Sequence, residues 1–159
     1  MTQSPSALID SDGESPEVFV RRFLTAFRAW EIEADVIDQG DEAEEERRDQ
    51  LGDDEPFEDG TDAIRAGYQA LLQDFATPRI IAQEILPSFR NPPRANLDST
   101  EFLGTEQATG GAIVKTKEID HYALPAEDYE YVLKLVDGAW RIDDRRTRNV
   151  DGRWIHRVF

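Results

Sequence analysis

DYEYVLKLVDGAWRIDDRRTR, residues 128–148, decides how the chain folds. Tyr129, Tyr131, Leu133 and Leu135 alternate with Glu130, Val132, Lys134 and Val136, a period of two that predicts a strand with one buried face. Asp137-Gly138 supplies the residues that a tight hairpin turn prefers, and Trp140 and Ile142 resume the apolar face beyond it. A second Asp-Gly pair, Asp151-Gly152, precedes RWIHRVF, where Trp154, His156 and Val158 lie on one face and Ile155, Arg157 and Phe159 on the other. The segment therefore predicts antiparallel strands joined by short turns.

Working back from it, residues 100–119 read as carrying another strand, strongest at GAIVKTKEI, where Ile113, Lys115 and Lys117 oppose Val114, Thr116 and Glu118. The first strand is expected at RIIAQEIL, residues 79–86, ended by a loop containing Pro92-Pro93. Helices precede the strands. Ser15, Pro16 and Glu17 form an N-cap, an N1 proline and an acidic first turn, and Phe19, Phe23, Phe27, Trp30 and Ala34 recur at helical spacing behind them. A second helix is expected over DAIRAGYQALLQDF, capped by Thr61 or Asp62 and stopped by Pro78, with Ile64, Tyr68, Leu71, Leu72 and Phe75 on its apolar face. Helices followed by four or five mostly antiparallel strands predict an α+β fold rather than an alternating parallel one.

Between the helices lies GDEAEEERRDQLGDDEPFEDG, residues 40–60, with eleven acids and two arginines. Glycines and Pro56 punctuate it, and like-charge repulsion disfavours compact packing, so it reads as a solvated connector over about residues 38–61. Residues 43–51 have the composition for a turn or two of helix. Residues 1–16, rich in Ser, Pro, Asp and Gly, read as a flexible lead-in, leaving 17–159 as one domain.

The totals narrow the function classes. A chain of 159 residues closes one hydrophobic core without staples, and the absence of cysteine removes thiol catalysis, thiolate metal sites and disulfides. The opening MTQSPSALIDSDGESPE has no basic-then-apolar run, and cytoplasmic residence without a membrane span is the expectation. A formal charge of -16 opposes binding to nucleic acid or anionic lipid. Residues 31–62 hold sixteen acids against Arg47 and Arg48, a net of -14, whereas residues 101–159 hold eleven acids against nine bases, a net of -2. Lysine is scarce, three against fifteen arginines, so a high-salt surface bias also accounts for part of the acidity.

Signals for catalysis are sparse. His121 and His156 lack a second ligand at helical spacing, so no metal or cofactor is expected, and neither a GxSxG elbow nor a phosphate loop occurs. Asp143 with His156 is the acid/base pair that neighbouring strands could assemble, against an ordinary salt bridge. Arg145, Arg146 and Arg148 belong to the one basic concentration, a candidate grip on phosphate or an acidic partner, against simple pairing with acids on adjacent strands.

YEYVLKLVDGAWRIDD, through Tyr131, Leu133, Leu135, Gly138, Trp140, Ile142 and Asp143, resembles the nuclear-transport-factor-2-like (NTF2-like) superfamily, and within it bacterial immunity proteins. The resemblance spans residues 17–159 and implies a cone, with N-terminal helices packed in the concave face of a curved, mainly antiparallel sheet. It also implies a non-catalytic protein that neutralises a cognate toxin by binding it. The enzymatic branches place an Asp/His or Asp/Tyr arrangement inside the cone, and no such pair matches here residue by residue; the acidic insertion is a further departure. Two classes follow. An interaction protein would present Glu44, Glu45, Glu46, Asp53 and Asp54 to a basic partner such as a nuclease toxin. A ligand-binding or isomerase/cyclase-like protein would use the cone cavity, with Trp30, Tyr68, Tyr131, Asp143 and His156 as its candidates. The sequence leaves room for a homodimer in either case.

Overall fold

The computed structural model describes residues 9–84, 86–89, 93, 95–120, 123–148 and 151–156. His121, Arg157, Val158 and Phe159 lie outside the described residues, as does Pro92. The elements are α1 (Pro16–Leu51), α2 (Thr61–Phe75), the single turn α3 (Pro78–Ile81), a 3-10 turn (Leu97–Ser99) and five strands: β1 (Thr100–Ala108), β2 (Gly111–Asp120), β3 (Ala123–Val136), β4 (Ala139–Arg148) and β5 (Trp154–His156). The strands form one antiparallel sheet in the order β1-β2-β3-β4-β5. The helices cover one face of it, which makes the fold α+β. Among the described residues no helix is long and apolar enough to cross a membrane.

Local chemistry explains most of the boundaries. Ser15 accepts the Val18 N–H at 3.3 Å and Pro16 opens α1. The cap of α2 differs from expectation: the N-cap is Gly60 rather than Thr61 or Asp62, and the Asp59 carboxylate just before it accepts the Thr61 N–H at 3.0 Å. Asp137 and Gly138 take φ of 52° and 79°, the left-handed pair that a two-residue hairpin requires. Residues 100–119 form two strands, β1 and β2, turned at Gly110, whose φ is 71°. The strand expected over residues 79–86 is replaced by α3, because Pro78 opens a helical turn just as Pro16 does. The lead-in is partly ordered: Ser11 donates through its N–H and its hydroxyl to Gly138 O, and Trp140 Nε1 donates to Glu14 O at 2.9 Å, so residues 10–15 strap the β3–β4 turn.

The core is aromatic. Phe75 packs against Phe19 at 5.6 Å and Phe23 at 5.5 Å, Phe23 meets Tyr131 edge-on at 6.2 Å, and Trp30 lies 5.1 Å from Tyr68. Contacts of this kind contribute about 0.5–1.5 kcal/mol each beyond the area they bury. Beneath them the concave face presents Ala112, Val114, Tyr131, Leu133, Trp140 and Ile142, all buried.

The outer face of the sheet is a charge ladder. Lys115 pairs with Glu106 at 2.7 Å and stands across from Glu130; Glu130 pairs with Arg146 at 2.7 Å; Arg146 stands across from His156, which meets Asp144 at 2.7 Å. Glu101, Lys117 and Asp128 make a second row of alternating sign. Unlike charges directly opposite one another suit an exposed sheet face and leave it close to neutral.

Candidate functional site

The last core residue of α1 is Ala34, yet the helix continues to Leu51. Residues 35–51 therefore make an arm about 25 Å long at 1.5 Å per residue, where the sequence reading placed a connector. Two devices hold the acidic arm helical. Gln39 donates to Asp35 at 2.7 Å and Arg47 to Glu44 at 2.7 Å, and Arg48 also reaches Glu44 at 3.0 Å. The loop after Gly52 then folds back along the arm: Arg48 donates to Glu55 O at 2.7 Å and lies over the Phe57 ring, and Asp41 accepts the Gly60 N–H at 2.6 Å. Gly60 touches the helix so closely that a Cβ there would stand 2.0 Å from Ile37 Cγ2. Gly52 ends the helix in the left-handed conformation.

This geometry divides the expected acidic surface. Glu44 is consumed internally, for Arg47 first and Arg48 second donate to its carboxylate and hold its pKa at about 2. Asp53 turns to Arg48 at 3.7 Å. Glu45, Glu46 and Asp54 stay exposed. Helical spacing instead aligns Asp38, Glu42, Glu45 and Asp49 on one flank, all exposed and, among the described residues, without a cation partner. Reading the stretch as a connector hid that row; recurrence of acids at four, three and four residues was the signal for it. Glu31, counted with the same stretch, is fully buried and accepts the Ala95 N–H at 3.0 Å.

A depressed carboxyl pKa contributes stability above the ordinary glutamate range, and that contribution is lost as pH falls through the folded value. Side-chain carboxyl NMR is expected to show Glu44 titrating near pH 2. Replacing both Arg47 and Arg48 by alanine should return its midpoint to the ordinary range. An ordinary midpoint in the unaltered chain would show that the arginines do not hold it.

The candidates for chemistry between helices and sheet do not converge. Tyr68, Trp30 and Tyr131 are packing residues of the core, and burial raises the pKa of both tyrosines. Asp143 and His156 are apart. Asp143 is the extra residue of a bulge, since Val132 pairs with Asp144 and Leu133 with Ile142. It accepts from Thr77 at 2.9 Å, pairs with Lys134 at 2.9 Å and binds Arg79 through both its carboxylate and its carbonyl, fastening α3 to the sheet. Burial alone would raise its pKa, but hydrogen bonds from Lys134, Thr77 and Arg79 hold it below the ordinary value. His156 meets Asp144 instead, on the outer face.

The three arginines are also divided. Arg146 and Arg148 face outward, against Glu130 and the Trp154 ring. Arg145 points to the helix-covered face of the sheet, 3.1 Å from Glu118, with its guanidinium 4.1 Å from the Tyr129 ring centroid. Tyr131 donates to Glu118 at 2.6 Å, and Thr116 completes the group at 3.2 Å. Burial opposes the Arg145 charge, but Tyr131, Glu118 and Tyr129 outweigh it and raise its pKa. Burial likewise pushes Tyr129 up to about 12. These groups satisfy one another through hydrogen bonds and an ion pair, an arrangement that binds the sheet's concave face together.

Fold and site together define an α+β protein with an aromatic core between helices and sheet and an acidic extension of α1. Family models, curated proteins and solved structures were compared with the chain, and none matches it.

Proposed function

We propose that the chain is a non-catalytic interaction protein that binds a basic protein partner through the acidic flank of the α1 arm, in the manner of an immunity protein neutralising a toxin. The observation that carries this reading is the helix itself. An acidic stretch that only solubilised the domain would need no order, whereas here two arginines and a folded-back loop stiffen it and leave Asp38, Glu42, Glu45 and Asp49 outward. Carboxylates prepositioned on a rigid element attract a basic partner at range and lose little freedom on contact. The near-neutral outer sheet face supports the same assignment by elimination. The NTF2-like cone is the fold reading that goes with it, supported by the helices against the concave face and by the closing β3–β4 hairpin.

The test compares the intact chain with a D38N/E45Q/D49N/D54N variant in affinity capture from the native organism, followed by kinetics with the captured protein. The intact chain is expected to recover a positively charged protein, and the variant to associate with it at least about tenfold more slowly with a shallower salt dependence. Co-expression should protect cells from that protein. Equal capture by both chains, or a captured partner of negative charge, would remove the arm from the interface.

A further inference from the structure

One exposed feature of α1 is unused by the acidic flank. Val18, Thr25, Ala29, Ile32, Val36 and Ala43 lie along one solvent-facing line from the first turn into the arm, with Val18, Ile32 and Val36 exposed at 50%, 46% and 64%. The core of this protein lies on the opposite side of the helix. The stripe steps by alternating fours and threes, the spacing of a coiled-coil seam, with Arg22 and Gln39 at the seam positions that small or apolar residues do not occupy. Beside it, at strict seven-residue spacing, stand Arg21, Arg28, Asp35 and Glu42: two cations and then two anions.

We infer that α1 pairs with α1 of a second copy, antiparallel, about a two-fold axis near residues 30–31. That register brings Ala29 opposite the partner's Ile32, Thr25 opposite the partner's Val36 and Val18 opposite the partner's Ala43. Between the last two of these layers stands Arg22 opposite the partner's Gln39. Two-fold symmetry repeats each layer, as an isologous interface demands. In antiparallel helices the same flank of each faces the other, so Arg28 comes opposite the partner's Asp35 and Arg21 opposite the partner's Glu42, again twice. Arg28, among the described residues, has no ion pair within its own chain; Arg21 pairs with Glu17 at 3.4 Å on the surface and rests its guanidinium over the Phe102 ring, 3.9 Å from the centroid, so Arg28 is the cation freest to pair across the seam. A parallel pair is disfavoured because it would lay the two acidic arms side by side. The antiparallel pair lays each arm along the other chain's cationic half. It also separates the two folded-back loops to opposite ends; Glu42 is then taken up by the seam, and two copies of Asp38, Glu45 and Asp49 stay available for a basic partner.

Charge exchange across the seam provides the test, read as mass by sedimentation or light scattering of the full chain in about 0.15 M salt, where screening over roughly 8 Å limits repulsion between two acidic molecules. The unaltered chain is expected to have twice the chain mass at micromolar concentration. R21E/R28E makes the flank wholly acidic and D35R/E42R makes it wholly basic; each alone should be monomeric, and mixing them should restore the doubled mass as a heterodimer. Ile32→Asp, at a position with no role in the core, should also give a monomer with an unchanged circular dichroism spectrum and thermal midpoint. A monomeric unaltered chain, a dimer indifferent to these changes, or variants that fail to recombine while folded would overturn the inference. The D38N/E45Q/D49N/D54N variant should still dimerise, which separates this result from the outcome of partner capture.

Discussion

Arg145→Ala is expected to lower the unfolding free energy by about 3–5 kcal/mol, because it leaves the Glu118 carboxylate on the covered face of the sheet without its counter-charge. Glu118 and Arg145 side chains are only 16% and 14% exposed, so water offers little replacement. Tyr131 would still donate to Glu118 and Thr116 would still approach it, which sets the lower end of that range. The double replacement Glu118→Gln with Arg145→Met should recover most of the loss, since it removes both charges while keeping much of the volume. Urea titration of the three chains measures this. If Arg145→Ala costs under 1 kcal/mol, roughly the value of an exposed pair, the cluster does not hold the sheet's concave face together.

Trp140→Ala is expected to be comparably destabilising, about 3–5 kcal/mol, through the cavity left by a large, completely buried side chain. Its second effect is more specific. The indole N–H is one of the bonds that tie residues 10–15 to the sheet, alongside those from Ser11 to Gly138. Trp140→Phe should retain most of the packing, cost about 1 kcal/mol for the lost hydrogen bond and speed hydrogen exchange at the Ser11 amide. An unchanged exchange rate in the phenylalanine variant would show that Ser11 alone secures the strap.

The hairpin and the first half of α1 were legible in the sequence because burial writes a period into it: two over β3 and β4, and three to four over residues 19–34. The five strands were countable, though through a wrong first strand and an unsplit β1–β2 pair. RIIAQEIL has the apolar, β-branched composition of a strand, and only the proline before it shows that the chain turns there. The arm was missed because its helicity comes from pairing at four residues and from a loop nine residues further on, terms that composition does not display. Asp143 with His156 is only an alternative pairing on strand proximity, and the bulge at Asp143 gives it to Arg79 and Lys134 and leaves Asp144 to the histidine. A single inserted residue changes which neighbours share a face, and no periodicity reveals it.

The charge ladder on the outer sheet has a consequence for motion in solution. Because the strands cancel their own charges while residues 31–62 carry a net of -14, the molecule has a strong permanent electric dipole. A charged body approaching it exerts a torque before any surfaces meet, and the molecule turns its helical end toward a cation and its sheet toward an anion. Orientation during the encounter is then set by the charge distribution of the whole fold, and weakens with ionic strength as that field is screened.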